Sequence, residues 1–226
     1  FHFASARSLT HRTQRIKRET AIWKAAEHPN ILHFIGYQTV DGAPLLVSQW
    51  CRNGNLSAYL SRQPNITLLC HAARGLLHLH TLTPPIVHGN VKPENVIVLD
   101  DLQVALSDFG ASKLNIEQHT GLTTSGLAGG SSGYQAKELL NEDSATPATD
   151  VYAFGGLILA AMSGKQPFWK RKANAIIIAV YNDQTPAPEG HPQLPRDDPL
   201  WELLIACWSG DAERRPLMSE VLETAR

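Results

Sequence analysis

An α+β fold, with a small β-containing part ahead of a helical one, is what three observations predict for these 226 residues. Two apolar runs of strand character lie close together near the start, ILHFIGY (31–37) and PLLVSQW (44–50). A long amphipathic segment follows at 66–82, and beyond Pro147 the sequence reads as helix almost to its end. Strands early and helices late indicate segregated rather than alternating elements. With 43% hydrophobic and 18% charged residues, the chain holds enough apolar material for a packed core.

Residues 7–27 are predicted helical, with Ile16, Ala21, Ile22, Trp23 and Ala26 on a partly apolar face. Six basic residues, Arg7, Arg12, Arg15, Lys17, Arg18 and Lys24, lie in the same stretch and read as a solvated face rather than a phosphate site. His28-Pro29 stops this helix. The two apolar runs, with Asp41-Gly42-Ala43 between them, read as a hairpin. Asn53-Gly54-Asn55 is a turn, and Leu56 to Leu60 begins a helix. The segment 66–82 carries its apolar stripe through Ala72, Ala73, Leu76, Leu77 and Leu79 and is ended by Pro84-Pro85. Short strands are expected at 86–88, 96–99 and 103–107. The Gly/Ser-rich stretch 111–135 is expected to be loop. VYAFGGLILAAM (151–162) is too short to span a bilayer and reads as a buried core helix, and Trp201 and Trp208 are expected in the core as well.

Composition excludes several classes. A formal net charge of −1 gives no global attraction to nucleic acid or to an anionic membrane. Cys51, Cys70 and Cys207 are scattered without a CxxC pair, which argues against a disulfide framework or zinc site and for a reducing, cytoplasmic setting. Residues 1–20 hold no apolar leader-like stretch. The chain does not open with methionine, so a piece of a longer protein is expected. No repeat appears, and nothing calls for an obligate oligomer.

Candidate chemistry concentrates in one loop. His88, Asn90, Lys92 and Asn95 fall between the long helix and a strand, and Asp108 follows 13 residues beyond Asn95. A carboxylate and an amide oxygen are suitable hard ligands for Mg²⁺. Lys92 supplies a point charge for a phosphate oxygen, and Gly110 permits a sharp turn after Asp108. His88 is expected to be a core histidine that holds the loop. His78 and His80, two apart on a helix, do not face each other as a metal pair would.

HGNVKPENVIV (88–98) resembles the catalytic loop H-R-D-L-K-P-E-N of protein kinases, and SDFG (107–110) resembles their metal-binding D-F-G. The likeness continues in order: RETAIWKAAEHPNIL (18–32) with the αC helix, LLVSQWCRNGNLSAYL (45–60) with the hinge, YQAKE (134–138) with the motif closing the activation segment, TDVYAFGGLIL (149–159) with the helix anchoring the large lobe, and CWSGDAERRP (207–216) with the closing motif. The chain is most similar to the tyrosine-kinase-like branch. The resemblance implies a two-lobe protein-kinase-like fold with a truncated small β lobe (1–52) and a mainly helical large lobe (53–226).

It also implies residue roles. Glu19 matches the αC glutamate, Ser48 the gatekeeper, and Gln49 and Cys51 the hinge positions that bond adenine. Ile97 would pack beneath the adenine, Asn95 and Asp108 would hold Mg²⁺, and Lys92 would meet the γ-phosphate of ATP. Ser131 matches a substrate-facing threonine, Glu138 and Arg215 a lobe-stabilising ion pair, and Asp150 the residue that orients the catalytic-loop backbone. The departures matter as much. Asn90 stands in place of the catalytic aspartate, Gly89 in place of an activation-loop-reading arginine, and Lys137 in place of a proline. No strand lysine or glycine-rich loop precedes Glu19 in this sequence. Threonines and serines at 120–125 form a polar loop in which phosphoacceptors are conceivable. The expected function is a catalytically impaired, pseudokinase-type module for signalling or protein interaction. The alternatives are an ATP-dependent protein phosphotransferase and a non-functional remnant.

Overall fold

The computed structural model describes residues 16, 17, 19–40, 43–60, 67–109, 112–114, 132–141 and 143–224. Residues 19–25 form the first helix (α1). Ile22, Trp23 and Ala26 are buried, as the apolar pattern requires, and burial of one large side chain contributes about 1.5–3 kcal/mol. The helix ends in a turn just before His28-Pro29. The amino-terminal portion of the expected helix, 7–15, lies outside the described residues.

A hairpin follows, β1 (Phe34–Val40) and β2 (Ala43–Ser48). They pair antiparallel, with Tyr37 opposite Leu46 and Gln38 opposite Leu45. Here the expected strands are corrected. The first begins three residues late because Ile31 and Leu32 serve the core instead. Ile31 bridges Leu106, Leu32 N–H donates to the Leu106 carbonyl (2.8 Å), and Leu106 N–H returns to the Asn30 carbonyl (2.9 Å). The first strand then continues through the exposed Gln38-Thr39-Val40, and the second stops at Ser48 rather than Trp50.

The larger, mainly helical part begins with α2 (Leu56–Leu60) and α3 (Thr67–Thr81). Leu68, Leu69, Ala72, Ala73, Leu76 and Leu79 are buried along α3. Next come β3 (Ile86–Val87), β4 (Val96–Val98) and β5 (Val104–Leu106), close to the expected strands. β4 pairs antiparallel with β5. Among the described residues of the stretch expected to be loop, Lys113–Leu114 form a short strand, β6, which pairs with β3, and Ser132–Tyr134 form a tight turn. Residues 111 and 115–131 lie outside the described residues.

The helices α4 (Lys137–Leu140), α5 (Pro147–Ser163), α6 (Ala173–Tyr181), α7 (Leu200–Cys207) and α8 (Met218–Thr224) complete the chain. α5 is the buried centre of this half. Thr146 and Thr149 cap its start reciprocally, and Gly164 ends it in the left-handed conformation. It packs on α3 and α7. At Gly156 an added Cβ would fall 2.8 Å from the Tyr134 ring, so only glycine allows that approach. Trp201 and Trp208 are buried as expected. The architecture is that of an α+β kinase-like fold.

Candidate functional site

The site is built where β3 and β5 run into loops over α5. Asp150, on the first turn of α5, is only 1% exposed. Its carboxylate accepts from His88 N–H (2.7 Å) and Gly89 N–H (2.8 Å), and lies 3.0 Å from His80 Nε2. The backbone of the 88–92 loop is thus gripped from below, as expected of Asp150. The sequence does not single out His80 for this role. Its partner lies 70 residues away, and its helical position shows only that it neighbours the buried Leu79.

Gly89 has φ +75°. A side chain here would strain the backbone, so this glycine relaxes the turn as well as lacking a phosphate-reading group. His88 is fully buried and has both ring nitrogens engaged. Nε2 lies 3.0 Å from the Ser107 carbonyl, and Nδ1 accepts from Asn90 N–H. Burial pushes its pKa down, against the opposing pull of Asp150 and Asp108. A neutral, doubly bonded imidazole holds the loop and does not act as a base.

Asp108 has φ +65°, a conformation that aspartate tolerates better than most residues. The turn sends Phe109 into the core. There Phe109 lies against His88 (ring centroids 5.3 Å) and Trp23 (5.7 Å), and Trp23 in turn meets Phe34 at 5.1 Å. A continuous aromatic column therefore joins the hairpin, α1, the 107–109 turn and the 88–92 loop. The Asp108 side chain itself faces solvent. Its Oδ2 accepts from Asn90 Nδ2 (2.8 Å) and from Asn95 Nδ2 (3.3 Å). Asn95 is buried and also donates to the Asn90 carbonyl (2.8 Å). Lys92 is half-buried at the start of the turn Pro93–Asn95.

Asn90, Asn95 and Asp108 are thus brought together around one carboxylate. A carboxylate beside amide groups fits a hard cation such as Mg²⁺ once an amide oxygen turns inward; in this structure both amides present their nitrogens to Asp108. The residues matched to adenine lie on β2, on the segment after it and on β4. Ile97 is half-buried on β4, where it bridges Asn55. The turn holding Gly54 docks on the same strand through Val98 N–H to the Gly54 carbonyl (2.9 Å). Ser48 is half-buried opposite Phe34, and Cys51 Sγ lies 3.8 Å from the Gln49 carbonyl. Gln49 also lines a separate cleft of about 510 Å³, formed with Trp23, Leu32, Phe34 and Leu99, which Asn90, Asn95 and Asp108 do not line. Glu19 is half-buried on α1. Gly110, Ser131 and the 120–125 hydroxyls lie outside the described residues.

Farther off, Arg215 Nη1 and Nη2 donate to the two carboxylate oxygens of Glu138 at 2.6 and 3.0 Å, the pairing expected. Lys137, which stands in place of a proline, instead pairs with Asp183 (2.7 Å).

Comparison with known proteins agrees with this fold. The profile of the family described as protein tyrosine and serine/threonine kinase matches residues 4–224. The chain is 33% identical over 225 residues to receptor-interacting serine/threonine-protein kinase 3 of Rattus norvegicus, covering 90% of this chain and 46% of that protein. It is 35% identical over 196 residues to the Homo sapiens protein of that name, covering 80% and 38%. A dual specificity protein kinase of Dictyostelium discoideum is 27% identical over 215 residues, covering 91% and 42%. The chain spans less than half the length of these relatives.

Proposed function

This chain belongs to the protein tyrosine and serine/threonine kinase family, and we propose that it is a catalytically impaired member that works in signalling through protein contacts. The observation that carries the reading is the contact at Asn90. At the position matched to the catalytic aspartate, the side chain donates a hydrogen bond to Asp108. An amide oxygen accepts hydrogen bonds but does not take up a proton at neutral pH. Loss of a general base costs about 10² to 10⁴ in rate, or about 3–5 kcal/mol of transition-state stabilisation.

In this reading Asn95 and Asp108 would hold Mg²⁺, and Lys92 would meet a terminal phosphate. Ser48, Gln49, Cys51 and Ile97 would border the adenine, with Glu19 on α1 behind the phosphates. The cation, when bound, neutralises phosphate charge. The chain's own residues position the loop from Asp150 upward and leave a substrate hydroxyl without a base. Scattered free cysteines support a cytoplasmic setting. Among the described residues no helix is long and apolar enough to cross a membrane.

The convergence of Asn95 on Asp108 favours a second reading, an ATP-dependent phosphotransferase working by positioning alone, since phosphoryl transfer depends mainly on alignment and charge neutralisation. Its acceptor would be a serine, threonine or tyrosine hydroxyl, in keeping with the family description and the names of the relatives. The two readings separate on Asn90→Asp, made in a chain preceded by a strand lysine and a glycine-rich loop. Impairment predicts a gain in phosphate transfer of about 10² or more. No gain, over an already robust rate in the parent, would establish the second reading.

A further inference from the structure

Two amide nitrogens converge on a single oxygen of Asp108. Asn90 Nδ2 lies 2.8 Å from Oδ2 and Asn95 Nδ2 lies 3.3 Å from the same atom. Asn95 Nδ2 also donates to the Asn90 carbonyl at 2.8 Å. That second bond fixes the amide, because its oxygen would not face another carbonyl. A closed ring of hydrogen bonds therefore ties the loop after β3 to the turn after β5. An aspartate at position 90 would reverse the sign of this contact. Two carboxylates at such a separation cannot both stay ionised unless a cation lies between them. With asparagine the constellation closes on itself.

We propose that Asn90 is an internal occupant of the divalent-cation site. Its amide holds the Asp108 oxygen that a cation would take, so the two loops stay joined without a metal and divalent cations bind weakly. A bridging cation must break the Asn90 bond and turn the Asn95 amide so that its oxygen faces inward. Asn90 is thereby a positioning and specificity-determining residue in addition to a missing base. The inference rests on the reading of Asn95 and Asp108 as a cation site, and is independent of whether phosphate is transferred.

The test is titration with Mn²⁺, an oxygen-preferring divalent cation, followed by the paramagnetic signal of the free ion and without nucleotide. Wild type, Asn90→Ala, Asn90→Asp and Asp108→Ala are compared. Asn90→Ala removes the donor and adds no charge. It should bind Mn²⁺ about tenfold more tightly than wild type, the scale of one hydrogen bond to a charged group in a solvent-open site. Asn90→Asp should gain at least as much, and Asp108→Ala should lose the site. Equal affinity for wild type and Asn90→Ala, weaker binding by Asn90→Ala, absence of binding in every variant, or undiminished binding by Asp108→Ala would each overturn the proposal. A second measurement does not need the alanine variant to fold. Amide exchange of 88–95 and 107–109 in wild type should be equally slow with Mn²⁺ and with chelator, whereas protection that appears only with the cation contradicts the idea. Phosphate transfer by the wild type would refute the impaired-enzyme reading and leave these outcomes unchanged.

Discussion

Replacing Arg215 with alanine should be among the most damaging single changes in the chain. The Arg215 side chain is 0% exposed and Glu138 is 19% exposed. The guanidinium makes the two bonds to Glu138, and further ones to the Ser209 carbonyl (2.9 Å) and the Ala148 carbonyl (3.0 Å). It also lies over the Tyr152 ring at 5.2 Å. Its removal leaves a largely buried carboxylate without its cation and two carbonyls without donors. Breaking such a pair from one side costs about 3–5 kcal/mol. In urea, with a slope of about 2 kcal/mol per molar, the denaturation midpoint should fall by about 1.5–2.5 M. Arg215→Met keeps much of the packing and should fall nearly as far. Glu138→Ala added to Arg215→Ala should cost little more, because the pair is already broken. A midpoint shift within error for Arg215→Ala would show that the ion pair does not hold the 138–150 segment to the region before α8.

Three further outcomes follow from the same structure. Gly89→Ala should destabilise by about 1–2 kcal/mol in denaturant titration, because φ +75° strains any side chain; a neutral or stabilising effect would refute it. Asp150→Ala strands two backbone donors and His80, so stability should fall by at least about 3 kcal/mol and the 88–92 loop should become protease-sensitive; an intact loop would argue against the grip from α5. His191 is buried against Ser163, and burial, aided by Lys170, lowers its pKa to about 4. Its contribution is complete above the ordinary value of 6.5 and is lost as pH falls from there toward about 4. His191→Gln should flatten the decline in stability over that window by up to about 1.4 kcal/mol per pH unit, while His88 and His28, also lowered by burial, keep part of it. An unchanged slope would place the proton elsewhere.

What could be read from the sequence was whatever rests on local pattern or on ordered motifs. The stripe from Ala72 to Leu79 and the run 151–162 each specify a buried helix face, and both are found. The Glu138–Arg215 and Asp150 contacts were anticipated through family motifs alone, since their partners lie 60 or more residues apart. The hairpin's first strand starts later than the pattern predicts, because Ile31 and Leu32 look like strand residues. Only the tertiary contact with Leu106 shows that they belong to the core, while Gln38 and Thr39 look like loop although they pair with Leu45 and Pro44. At Asn90 the sequence announces a missing acid. It does not show that the amide bonds Asp108, because that contact crosses 18 residues and depends on the left-handed turn at Asp108. The role of His80 is invisible in the sequence for the same reason, its partner being set by how α3 packs on α5.

On the proposed reading, phosphate transfer by this kinase-family chain is impaired because Asn90 supplies no base. It is tested most directly by single-turnover transfer of labelled γ-phosphate from Mg²⁺-ATP to a generic protein substrate, with wild type and Asp108→Ala side by side. The account predicts that the two are indistinguishable, both at the background set by substrate without protein. Robust transfer by wild type that Asp108→Ala abolishes would contradict it, and would show that Asn90 suffices to place the acceptor hydroxyl.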